Sequence, residues 1–196
     1  RRGDDGDVSK AAYWIGKTKL DQGLIHEAIS AYREAIIQYG NNILQDGVDL
    51  IITELYNVSR RLEKNAREQL KEQLQKDVEA ADNMTLKLRL RVLVSKMNGT
   101  ELELGKVLIA ELPDLTQAPP PVLAVICKAS FAQGDYSRSG EILNIFKNHF
   151  EDSDFTRDAY KLRGYDLYNA GDLDGAMEIV KDVQALYGTQ PDVAWA

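Results

Sequence analysis

The chain has 196 residues, 44% hydrophobic and 28% charged, enough for one large domain or a short repeat array. Its formal net charge of -7 argues against a nucleic-acid groove, because phosphate binding needs a basic surface. No stretch approaches the roughly 18 to 20 unbroken apolar residues of a membrane span, and runs such as Val122–Cys127 are far shorter.

Residues 1–8 are polar and rich in Gly and Asp, and read as a linker. Ser9 is the expected N-cap of a helix through Gln22. After Gly23, residues Ile25, Ala28, Ile29, Tyr32, Ala35, Ile36 and Tyr39 follow the spacing of an amphipathic helix. Gly40-Asn41-Asn42 stops it, as a C-cap glycine would. Leu44 to Asp82 has no proline and no glycine after Gly47, so its apolar positions allow one long helix or a pair. A pair is preferred, with a turn near Arg60–Asn65. Glu63, Arg67, Glu68, Lys71, Glu72 and Lys76 then form a solvated helix face. The alternation from Leu86 to Arg91 imitates a strand, but the flanking pattern favours a helix through Lys96. Asn98-Gly99 turns the chain, and a helix over Glu101–Leu112 ends at Pro113. Gln117-Ala118-Pro119-Pro120-Pro121 reads as a stiff loop whose last proline enters the next helix, or else as a hinge between two sub-arrays; the loop is favoured. Four further helices follow, over Val122–Gln133, Tyr136–Phe150, Asp154–Ala170 and Leu173–Tyr187.

The glycines between these helices are regularly spaced. Gly134 to Gly171 is 37 residues, and Gly23 to Gly134 is 111, three times 37. The empty teeth of that comb fall at Arg60 and Met97. A period of this size indicates stacked helix pairs rather than an enzyme core.

The residues resemble the tetratricopeptide repeat (TPR) family. The family pattern is matched by Ile15-Gly16, Gly23, Ala28, Tyr32 and Ala35, and again by Tyr160, Gly164, Leu167, Gly171-Asp172, Ala176 and Val180. The same 12-residue gap separates Gly16 from Ala28 and Gly164 from Ala176, where small side chains let two helices approach. The unit containing Gly134-Asp135-Tyr136 carries Cys127 and Ser139 at the small positions. The resemblance implies an all-α fold, a right-handed superhelical array of antiparallel helix pairs, about five in number. It divides the chain into a linker at 1–8, a TPR-like repeat at 9–42, two degenerate pairs at 43–118, TPR-like repeats at 119–152 and 153–189, and the start of a truncated repeat at 190–196. The Ala-Tyr-Trp-Ile-Gly-Lys and Glu-Ala-Ile-Ser-Ala-Tyr-Arg stretches are most similar to repeats of bacterial cell-envelope proteins, such as outer-membrane assembly lipoproteins and the Tol-Pal coordinator. That similarity favours the periplasm over the cytoplasm, and the chain reads as part of a longer protein.

In this family the first helix of each pair lines a concave groove. The resemblance therefore assigns Lys10, Tyr13, Lys17 and Leu20, then Ala124, Lys128 and Phe131, then Asp158, Lys161, Tyr165 and Tyr168, to a peptide-binding surface. Mixed aromatics and lysines suit capture of a peptide by stacking, apolar contact and charge. Tyr13 and Lys17 stand where the family's chaperone-binding members carry a lysine and an asparagine, which disfavours chaperone recognition.

Catalysis is not expected. His26 and His149 are the only histidines and sit in no metal motif. Cys127, the single cysteine, lies in an apolar run and reads as a core thiol. No phosphate-binding glycine pattern occurs, and no cofactor or metal is implied. Arg2-Gly3-Asp4 and the sequons at Asn57, Asn83 and Asn98 read as linker, helix and cap residues. The expected function is a non-catalytic scaffold for another protein. Two alternatives stand beside it: a small-molecule or lipid-binding domain using Arg89 or Arg91 of the basic, apolar segment Leu86–Lys96, and a passive spacer.

Overall fold

A computed structural model describes residues 4–44, 46–150 and 153–188. The described residues are all-helical, with ten α-helices, one 3₁₀ turn at Leu115–Gln117 and no strand. In chain order the helices are α1 (Asp4–Asp21), α2 (Ile25–Tyr39), α3 (Asp46–Ser59), α4 (Lys64–Ala80), α5 (Met84–Asn98), α6 (Glu101–Glu111), α7 (Pro120–Gln133), α8 (Ser137–His149), α9 (Asp154–Asn169) and α10 (Leu173–Tyr187). The chain divides into two compact units. The first holds α1 to α5 and the start of α7; the second holds α6, the rest of α7, and α8 to α10.

In the first unit α1 packs on α2 and α3, α2 on α3, α3 on α5, and α4 on α5. This repeat-like pattern gives one continuous core. Ala28, Ile29, Tyr32, Ala35 and Ile36 of α2 meet Val48, Ile51, Ile52, Leu55 and Val58 of α3, Leu70, Leu74 and Val78 of α4, and Leu86, Leu90, Leu93 and Met97 of α5. Each aliphatic side chain so buried contributes about 1.5–3 kcal/mol relative to exposure. α4 buries only an i, i+4, i+8 stripe, and Glu68, Glu72 and Lys76 face solvent as expected. The break between α3 and α4 falls at residues 60–63, so this segment is two helices.

The Ser9 end signal was misread, whereas Gly40 caps the end of α2 as expected. α1 begins at Asp4, so part of the expected linker is helical, and Ser9 is not a cap. Ser9 is fully buried inside α1. A Cβ on Gly47 would lie 2.6 Å from the Ser9 carbonyl carbon and 2.7 Å from the Lys10 nitrogen. Two small residues thus let α1 and α3 cross closely, and that need outranks capping. Gly40 ends α2 with an ordinary right-handed φ of -70°. It is small because a Cβ there would meet the Ile36 carbonyl oxygen and the Leu86 side chain. Residues 1–3 and 190–196, parts of the expected linker and truncated repeat, lie outside the described residues.

Arg89 is the largest fully buried side chain. Its Nε and Nη2 donate to the Asp49 carboxylate at 2.8 and 3.2 Å, and its remaining N–H groups to the carbonyls of Gly40, Asn42 and Ile43 at 3.0, 2.5 and 3.3 Å. A buried charge is tolerable only when paired and hydrogen-bonded in this way. Arg89 therefore fixes the α2–α3 connection from α5. Arg89, one of the two arginines named in the small-molecule alternative, is thus engaged by the Asp49 carboxylate and three backbone carbonyls. The strand-like alternation around it arises because α5 is buried on several sides, at Leu86, Leu88, Arg89, Leu90, Val92 and Leu93.

In the second unit α8 packs on α9, and α9 on α10. Gly105 brings α6 against α7, since a Cβ there would lie 2.7 Å from the Val125 carbonyl oxygen. Gly134 and Gly171 adopt φ of 75° and 82°, the left-handed region. Both close the preceding helix with the same pair of hydrogen bonds: Gly134 to Phe131 with Asp135 to Ser130, and Gly171 to Tyr168 with Asp172 to Leu167. Asp172 caps α10 by accepting from the Gly175 N–H at 2.9 Å. Asp135 instead accepts from the Ser137 hydroxyl at 2.7 Å, one residue before its helix is capped.

Candidate functional site

The assigned surface residues divide between the two units, and each group stands by itself. In the first unit Lys10, Tyr13, Lys17 and Leu20 share one face of α1 by their spacing. That face is largely engaged within the unit. Tyr13 stacks on Tyr32 with centroids 6.4 Å apart and meets Trp14 edge-on at 5.3 Å. Gly16 lies under the Tyr32 ring, so the small residue admits an aromatic rather than the backbone of α2. Leu20 is half-buried against the core, and Lys17 pairs with Glu54 of α3 at 3.6 Å. Lys10 is exposed. Trp14 and Ile15, not assigned from the sequence, are among the most exposed apolar residues of the unit. Three bulky residues in a row, Tyr13 to Ile15, point about 100° apart on a helix, so they cannot all face one core.

In the second unit Ala124 is buried on α7 and cannot contribute to a surface. Lys128 is exposed, and Phe131 is half-buried with its ring 6.1 Å from that of Tyr136. On α9 the face Asp158, Lys161, Tyr165, Tyr168 is open. Tyr165 is 43% and Tyr168 64% exposed, and the Lys161 Nζ sits 6.0 Å from the centre of the Tyr165 ring. Leu173 and Met177 of α10, also unassigned from the sequence, are 61% and 55% exposed. Their i, i+4 spacing on the apolar stripe of α10 was the available signal, but it looked like core.

Behind this face lies a polar interior. Asp166 of α9 is buried, and burial pushes its carboxyl above the usual range, against a hydrogen bond with Ser139 and the nearby Arg163 charge. Its Oδ1 has no hydrogen-bond partner. Arg163 donates to the Tyr136 carbonyl at 3.1 Å and to the Ser139 hydroxyl at 3.3 Å. Burial pushes the Cys127 thiol up to about 12, so at neutral pH it carries no nucleophilic thiolate.

A cleft of about 170 Å³ lies between α2 and α4, with Ile29 and Leu70 beneath and His26, Ser30, Arg33, Gln69 and Gln73 around it. It is smaller than the roughly 300–1,000 Å³ usual for small-molecule sites. Arg33 is held there by Asp77 at 2.6 and 2.7 Å. Among the described residues no three His, Cys, Asp or Glu side chains are grouped to hold a metal ion, and no helix is long and apolar enough to cross a membrane. Compared with protein-family models, curated proteins and solved structures, the chain matches none.

Proposed function

We propose that the chain is a non-catalytic interaction scaffold of the TPR type, a superhelical array of helix pairs that holds a peptide or protein segment against the faces of its first helices. The observation that carries this reading is the open face of α9, where Tyr165 and Tyr168 reach solvent beside Lys161. Large rings held on a rigid helix give contact area at low entropic cost. Trp14 is a further exposed aromatic, in the other unit. Exposed aromatics weigh against a passive spacer, which has no use for them. The resemblance to cell-envelope repeats favours assembly of an envelope complex as its setting, with another protein as the partner.

The test is selection from a random peptide library on the intact chain, then binding of selected peptides to wild type and to Tyr165→Ala/Tyr168→Ala. Peptides that bind wild type and lose affinity on the variant are the expected result. A library that yields no binder, or binders indifferent to both tyrosines, sinks the proposal.

A further inference from the structure

We infer that the surface around the α9–α10 turn takes a cationic amphipathic segment of a partner polypeptide, one that interleaves Lys or Arg with aliphatic residues. This rests on the scaffold reading above and names the chemistry of its partner.

Three features of the surface select that occupant. The first is apolar area. Tyr168, Leu173 and Met177 are each more than half exposed on either side of one tight turn. α10 is amphipathic, yet Val183 is its only fully buried residue. The second is charge. Asp172, Asp174 and Glu178 are exposed on the same stretch, with Lys181 one turn further along. Lys161 is already drawn over the Tyr165 ring. The third is the way this unit uses its tyrosines. Lys147 sits 5.1 Å from the Tyr160 ring centre and Arg157 4.8 Å from that of Tyr187, besides Lys161 on Tyr165. The face of an aromatic ring attracts a cation. Tyr168 is the most exposed of these rings, and among the described residues no cation covers it. A partner lysine or arginine would sit on Tyr168 and pair with Asp174 or Glu178, while neighbouring aliphatic side chains cover Leu173 and Met177.

The intact chain is titrated with three short fluorescent peptides of one apolar pattern: Leu/Lys, Leu/Gln and Leu/Glu. The Leu/Lys peptide is expected to bind, and to weaken as salt shortens the screening length. Tyr165→Ala/Tyr168→Ala is expected to cost roughly tenfold in affinity, the scale of two exposed cation–π contacts. Asp174→Asn/Glu178→Gln is expected to weaken binding and flatten its salt dependence. Circular dichroism checks that each variant stays helical. Equal binding of Leu/Gln and Leu/Lys, with both lost in the tyrosine variant, leaves the scaffold standing and overturns the cationic partner. Binding of Leu/Lys that ignores the tyrosines shows only general attraction to an acidic chain and overturns the site. No Leu/Lys binding overturns the inference outright.

Discussion

Helices α5 and α10 are both fifteen residues long, and by amphipathic pattern α10 is the better core helix. The structure reverses that order. α5 buries Leu86, Leu88, Arg89, Leu90, Val92, Leu93, Ser95 and Met97, whereas α10 fully buries Val183 alone. A clean apolar stripe shows that a helix has two sides. It does not show how many neighbours it has. α5 packs on α3 and α4 and carries the arginine that ties down the α2–α3 connection, so it is buried on several sides and its pattern is blurred. α10 packs on α9, and the rest of its stripe meets solvent. Between these two helices, the blurred pattern goes with burial and the sharper stripe with exposure.

This contrast can be broken in four places. The largest effect is expected from Arg89→Met, which strips the buried Asp49 carboxylate of the Arg89 guanidinium and should cost about 3–5 kcal/mol in urea unfolding. Adding Asp49→Leu should restore most of that loss; a single variant within about 1 kcal/mol of wild type would remove α5 from its central role. Next, Leu93→Ala in α5 should cost about 2–5 kcal/mol, because Leu93 is fully buried and leaves a cavity. The third concerns pH. The folded Asp166 carboxyl titrates above its unfolded value, so the folded state holds the proton more tightly. Stability therefore falls as pH rises from about 4 through the folded pKa and levels off above it. Asp166→Asn should gain about 1–3 kcal/mol over wild type at pH 8, with the gap shrinking toward pH 4. A gap that widens in acid contradicts the assignment. The smallest effect is expected from Met177→Gln in α10, within about 0.5 kcal/mol of wild type by thermal melting. A loss of several kcal/mol there would mean that the α10 stripe is covered after all.

Much of the helical layout was legible because its punctuation is local. Gly134 and Gly171 mark turns through a backbone conformation that needs no distant partner. Asp172 and Asn83 cap helices that begin within three residues of them. Ser9 was misread because its smallness serves a partner far along the chain, Gly47; Gly40 caps α2 as expected, and its smallness also makes room for Leu86. Arg89, named only in the ligand-binding alternative, likewise serves distant partners: carbonyls 46 to 49 residues away take up its N–H groups. On the candidate surface, the family resemblance assigned Tyr13 and Tyr165 to equivalent faces, but only tertiary packing separates the ring stacked on Tyr32 from the one 43% open to solvent. Leu173 and Met177 escaped notice because a stripe reads alike whether or not anything lies against it.

The reach of Arg89 also has a consequence in time. Its acceptors lie 40 to 49 residues upstream, at Asp49, Ile43, Asn42 and Gly40. A ribosome adding roughly 5–20 residues per second takes on the order of 2–10 seconds to cross that interval. Throughout it the nascent α1–α3 layer lacks the Arg89 guanidinium that pairs with Asp49 in the folded chain. The contacts that Arg89 makes to these helices can therefore form only after that interval, and a chain halted before residue 89 lacks them.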